Sequence, residues 1–140
     1  MENHWKMDLD AERKAFLSCI ETDEWAGFPI PDLEDFLPDD WQTVYIGDEI
    51  ECGSEDEPAG GIVIGCIARH GSGRPVCYKI ITEDENGTPY IDYVPAEHIT
   101  MHELCGDSEW SLARVGYRMV VEESGFSYFY NDETGDAIVC

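Results

Sequence analysis

The stretch GIVIGCIARHGSGRPVCYKIITEDENGTPYIDYVPAEHI, residues 61–99, decides the fold. Its first eight residues, Gly61 to Ala68, form an almost unbroken apolar run rich in Ile and Val, the pattern of a buried strand. Arg69 to Pro75 breaks the run with glycines and reads as a loop, and Val76 to Thr82 is a second strand. Asn86-Gly87 is a strong hairpin signal, because both residues accept the positive φ of a tight turn, and it leads into a strand from Tyr90 to Val94. Pro95 then opens a short helical or 3₁₀ piece, AEHITMHELC at 96–105, which Gly106 closes.

Outward from this block the period changes. Thr43 to Ile46 is expected to be a strand ended by the Gly47-Asp48 turn and extended by Glu49 to Cys52, while 53–61 is acidic, rich in turn formers and read as an exposed loop. Ahead of it, Asp8 caps a first helix running to about Ile20, with Leu9, Ala15, Phe16, Cys19 and Ile20 on one apolar stripe. A turn through Ala26, Gly27 and Pro29 leads to a short second helix that Pro31 opens and Pro38 stops, with Leu33, Phe36 and Leu37 facing inward. The tail holds strands at Tyr117 to Glu122, Phe126 to Tyr130 and Asp136 to Val139. The expectation is an α+β fold in a single domain, 1–140. Short acidic helices (1–41) pack on an antiparallel β-sheet or small barrel (42–105), and a C-terminal β-meander with its hairpin follows (106–140).

Two segments resemble known modules. The succession IGDEI, GGIVIGCI, VCYKII and VPAEHI over residues 43–99 resembles a small SH3-like barrel, which implies an adaptor or interaction module. Gly125 to Tyr130 with Asn131 and Thr134 is similar to the middle of a WW module. Tyr117 stands where that module has its first tryptophan and Val139 where it has its second. A WW module grips polyproline in an aromatic groove. Loss of the second tryptophan removes half of that groove, so the likeness implies a shared hairpin and not a shared ligand.

Charge sets the chain apart. Thirty-one Asp and Glu against eight Lys and Arg give a formal charge of −23. A small domain needs a net charge of only about 2–8 for solubility, and a larger one repels itself. Eighteen of the acids fall within residues 1–57 against three bases, so the excess is concentrated near the amino end. Asp8, Asp10, Glu12, Glu21, Asp23 and Glu24 come from the first helix and its exit. Asp32, Glu34, Asp35, Asp39 and Asp40 come from the second helix and its end. Glu49, Glu51, Glu55, Asp56 and Glu57 come from the first long loop and the strand before it. Trp5, Trp25 and Trp41 lie in the same region, and tryptophan is a favoured interface anchor; Trp25 is included with the acids as a partner-binding residue.

A DNA duplex presents one negative charge per about 1.7 Å of axis, and carboxylates on short helices and loops offer a comparable density to a row of Lys and Arg. In size and composition the chain resembles the DNA-mimic inhibitors of phages and mobile elements, the anti-CRISPR and anti-restriction proteins. That resemblance implies a basic nucleic-acid-binding protein as partner (a nuclease, CRISPR effector or restriction enzyme), with no nucleic acid bound directly. The same acidity would serve an immunity protein that neutralises a toxin nuclease, or the uniformly acidic surface of a halophile protein.

Other chemistry is weakly signalled. His98, His102 and Cys105 fall at i, i+4 and i+7, which on one helix would line up three zinc-type ligands, but structural zinc sites present two close ligand pairs. His102-Glu103 lacks the second histidine of HExxH. The loop Arg69-His70-Gly71-Ser72-Gly73-Arg74 lacks the Lys-Ser/Thr of a P-loop. We therefore expect no catalysis, no metal and no cofactor. The start MENHWKMDLD shows no signal-peptide pattern and no apolar run suits a membrane helix. A cytoplasmic protein is expected, its six cysteines (19, 52, 66, 77, 105, 140) reduced, with Cys19 and Cys66 as core residues.

Overall fold

A computed structural model describes residues 41–42, 45–53, 58–68 and 75–139, with isolated positions at 14, 17 and 18. The described residues are mostly antiparallel strand: β1 (Trp41–Gln42), β2 (Glu49–Gly53), β3 (Pro58–Ala68), β4 (Pro75–Glu83) and β5 (Pro89–Pro95). A 3₁₀ turn (Ala96–His98), β6 (Ile99–Glu103), the helix α1 (Ser108–Ala113), β7 (Tyr117–Val121), β8 (Ser127–Asn131) and β9 (Ala137–Val139) follow. The larger sheet runs β5-β4-β3-β2-β6, with β1 also pairing to β3, and the smaller runs β7-β8-β9.

Period-two alternation, with a register shift between Val63 and Gly65 that returns Cys66 to the face of Val63, explains how one chain builds two cores. Val63 and Cys66 on β3, Tyr78 and Ile80 on β4, and Val94 on β5 gather with Ile50 and Cys52 of β2 on one side. Ile62 and Ile64 of β3 and Ile81 of β4 point the other way, onto Leu112 of α1, Tyr117, Phe129 and Ile138. The central strands are thus covered on both faces, which is why β3 reads as continuous apolar sequence rather than as alternating inside and outside residues. The smaller sheet is the cover for the second face.

A buried ionic pin joins the two sheets. Lys79 Nζ donates to Asp136 Oδ1 at 2.7 Å, and the Tyr117 hydroxyl donates to Asp136 Oδ2 at 2.8 Å. Lys79 and Asp136 are 5% and 8% exposed, so both charges are held out of water and each depends on the other. Asn131, fully buried, ties the second sheet to the end of α1. Its Nδ2 donates to the Val115 carbonyl, and its Oδ1 accepts from the Glu133 and Thr134 amides.

Several expectations are met locally. The Asn86-Gly87 hairpin forms, with Asp84 Oδ1 accepting from the amides of Asn86 and Thr88, both at 2.9 Å, and Gly87 at φ +81°. The strands expected at 61–68, 76–82 and 90–94 are present, as are the three of the tail.

Four expectations are corrected. Tyr45 to Gly47 is a turn and not the end of a strand, because Gly47 takes φ +93° and the Asp48 amide closes on the Tyr45 carbonyl. β3 begins at Pro58, inside the stretch read as a loop: its glycines look like turn formers, but they let neighbouring strands close in. A Cβ on Gly61 would stand 2.6 Å from the Ile81 carbonyl oxygen. The piece 96–105 is helical only over Ala96–His98. β-Branched Ile99 and Thr100 start β6, which finds its partner in β2. Finally, 106–140 is not all β, since α1 precedes the meander with Asp107 Oδ1 capping the Trp110 amide. Lys14, Leu17 and Ser18 are helical, within the span expected for the first helix; the rest of that helix, the second helix, the loop 69–74, Cys19 and Cys140 lie outside the described residues.

Two expected results follow from the packing. Gly61→Ala must push two backbones apart, and a loss of roughly 1–3 kcal/mol is expected in urea unfolding. Burial lifts the Cys66 thiol from its ordinary 9.0 to about 12, and burial followed by nearby Cys66, Tyr45 and Asp48 lifts the Tyr78 phenol from 10.0 to about 12. Cys77 moves the same way, through burial and then its neighbour Cys66. Below pH 9 the folded and unfolded chains hold these protons alike. Above it the unfolded chain ionises first, so stability is expected to fall steadily between about pH 9 and 12. Thermal melts across that range, repeated on Cys66→Ala and Tyr78→Phe, measure the share of each.

Candidate functional site

β2 reads Glu49-Ile50-Glu51-Cys52, and the alternation sends Ile50 and Cys52 into the core and leaves both glutamates exposed. On β6 the residue directly opposite Glu49 is Glu103, also exposed, and opposite Glu51 is Met101. Like charges at facing positions of an antiparallel pair repel and weaken it by a few tenths to about 1 kcal/mol. On its other side Glu49 faces Ile62 of β3, and Ile62 faces Ile81 of β4. One row of side chains thus passes from carboxylates at the β6 edge to the apolar centre.

The turn before β2 fixes this arrangement. Asp48 is buried, with Oδ2 at 2.7 Å from His102 Nε2 and Oδ1 accepting the Cys105 amide at 3.2 Å. The His102 ring lies against Tyr45 and Tyr78, with centroids 5.5 and 6.2 Å away. Ser108 donates to the Ile46 carbonyl at 2.8 Å and Ser111 to that of Gly47, so α1 is fastened to the same turn. His98, His102 and Cys105 therefore do not share a helix. They sit on a 3₁₀ turn, a strand and a loop, and His102 is engaged with Asp48. Among the described residues no group of three His, Cys, Asp or Glu is gathered as a metal would need. Asp48→Ala removes the acceptor common to His102 and Cys105, and a loss of roughly 1–3 kcal/mol is expected in chemical denaturation.

Between the sheets, beside Glu49, lies a cleft of about 590 Å³. Gly60, Gly61, Ile62, Ile81 and Thr82 form its strand side, Ala113 to Gly116 the opposite wall, and Glu49, Glu83 and Glu133 its carboxylates. Thr82 donates to the Gly60 carbonyl at 2.6 Å, which settles that backbone acceptor.

Cations offer little relief. From residue 45 onward the described positions include sixteen acids and three bases. Of the three bases, Lys79 is buried on Asp136 and Arg114 lies over the Trp110 ring at 4.7 Å. Arg118 pairs with Asp132 at the surface. That hydrogen bond raises the Arg118 pKa and lowers that of Asp132, but both are in solvent and contribute little to stability.

Of the residues singled out from sequence, Glu49 and Glu51 are exposed neighbours on one strand. Asp8, Asp10, Glu12, Glu21, Asp23, Glu24, Trp25, Asp32, Glu34, Asp35, Asp39, Asp40, Glu55, Asp56 and Glu57 lie outside the described residues. Sequence reading missed Glu83, Glu103 and Glu133, which only strand pairing and the second sheet bring near Glu49. It also missed Trp110, 58% exposed, and Leu104, 78% exposed. Asp107-Ser108-Glu109 after Gly106 was the available signal, an N-cap and first-turn acid that place Trp110 on a helix.

No helix among the described residues is long and apolar enough to cross a membrane. Comparison of the chain with protein-family profiles, characterised proteins and solved structures finds no match.

Proposed function

We propose that this chain is an acidic inhibitor that binds and blocks the basic nucleic-acid-binding surface of a bacterial defence protein, acting stoichiometrically in the cytoplasm and without catalysis. The observation that carries this reading is the facing pair Glu49 and Glu103 on neighbouring strands, in a surface where acids far outnumber bases. A fold gains nothing from that juxtaposition. A row of Lys and Arg on a partner would relieve it, and long-range attraction would speed the encounter. In this reading the other acids singled out between Asp8 and Glu57 belong to the same face, and residues 1–41 are the short acidic helices of an α+β whole.

The strand order β5-β4-β3-β2-β6, with a 3₁₀ turn before the last strand, supports the likeness to an SH3-like barrel. In this reading the barrel is the scaffold and the carboxylates are the recognition element. Pull-down from a bacterial lysate separates the alternatives. A nuclease, CRISPR effector or restriction enzyme released as salt rises supports mimicry, and a toxin nuclease identifies an immunity protein. Retention of proline-rich or neutral partners, insensitive to salt, would point to an adaptor and against mimicry. Trp110→Ala is expected to weaken capture severalfold with little change in melting temperature, since the ring is exposed and exposed aromatics at interfaces act as anchors.

A further inference from the structure

We infer that the cleft between the two sheets receives an arginine or lysine side chain from a loop of the basic partner. This deepens the proposed function and rests on it. The cleft combines two surfaces that a long cationic side chain needs together. Pro89 and Val115, both half-buried, offer apolar wall to a methylene stem, and Glu49, Glu83 and Glu133 offer carboxylates to its head. Among the described residues Arg114 is the one cation lining it, and its guanidinium lies over Trp110. The volume, about 590 Å³, falls among those of small-ligand sites and exceeds a single side chain, so the neighbouring backbone of a loop enters as well.

Two features of the fold keep the cleft open. Gly60 shares the strand face of Ile62, two residues away, and brings no side chain into the space beside Glu51; a Cβ there would meet the Ile50 carbonyl oxygen at 2.9 Å. Gly116 takes φ +97° against Asn131, whose buried amide holds the opposite wall. The charge is independent of that shape. Glu49 is held facing Glu103 across the strand pair, so its neighbourhood is already over-supplied with negative charge before any partner arrives. A cation entering the cleft gains from Glu49, Glu83 and Glu133, and a neutral or acidic group gains from none of them.

The test uses the full chain labelled with ¹⁵N and a blocked Gly-Arg-Gly peptide, its citrulline analogue and spermidine as probes. The arginine peptide is expected to move the amides of Gly60, Gly61, Thr82 and Val115 saturably, and the uncharged citrulline peptide to leave them still. Glu83→Gln with Glu133→Gln, which preserves shape at exposed positions, is expected to weaken the peptide about tenfold or more. Shifts scattered over other surfaces, equal response to citrulline, or saturation by spermidine alone would overturn the assignment. The recovered partner gives a second readout. If the double variant binds it with unchanged affinity, the cleft is not the receptor although charge mimicry stands. If no salt-sensitive basic partner exists, mimicry fails while the peptide titration still judges the cleft.

Discussion

Asp136→Ala is expected to lower the unfolding free energy by about 3–5 kcal/mol, the largest stability effect of any single change considered for this chain. Asp136 accepts from Lys79 and Tyr117 in a site where neither charged group reaches water freely. Truncating the carboxylate removes the partner that made burial of the ammonium tolerable, and leaves the Tyr117 hydroxyl without this acceptor. Lys79→Met together with Asp136→Leu removes both charges and is expected to recover most of the loss, because two apolar groups of similar size need no solvation. Tyr117→Phe is expected to fall between, at roughly 1–3 kcal/mol. Equilibrium unfolding in urea of the four proteins measures the coupling. A single-variant loss under about 1 kcal/mol would show that the two sheets do not depend on this pin.

Glu49→Lys is expected to change stability and binding in opposite directions. In the folded chain the new ammonium faces Glu103, turning a repulsive pair into an attractive one and raising stability by a few tenths to about 1 kcal/mol. At the interface the same change puts a cation where the partner presents cations, and the affinity is expected to fall about tenfold or more. Glu49→Lys with Glu51→Lys extends the loss without touching the core, because Ile50 and Cys52 point the other way. A variant that melts higher and binds worse identifies a residue kept for its partner and not for its fold. A melting temperature that drops with binding unchanged would remove this strand from the proposed interface.

Much of the sheet was legible in the sequence because its signals are local. Asn86-Gly87 fixes a turn by itself, and the apolar run of β3 declares a strand wherever it ends up. β6 was misread because 96–105 has helical spacing in His98, His102 and Cys105, while its strand state depends on pairing with β2, distant in sequence. The start of β3 was misread because Pro58-Ala59-Gly60-Gly61 looks like a turn until the close approach of the Ile50 and Ile81 carbonyls is known. For the candidate site, Glu49 and Glu51 could be named from charge and exposure alone. Glu103, Glu83 and Glu133 could not, since what makes them matter is register and the docking of a second sheet. Lys79 carried no signal of its own: a lysine within VCYKIIT reads as a solvent-facing gap in a strand, and only Asp136, far along the chain, makes its burial intelligible.

The decisive measurement is a competition binding experiment with the partner recovered from lysate, run across increasing salt with duplex DNA as competitor. Mimicry predicts that affinity falls steeply and linearly on a log–log scale as salt rises, and that DNA and this chain exclude each other from one site. Affinity indifferent to salt, or a ternary complex holding DNA and this chain together, would contradict the account.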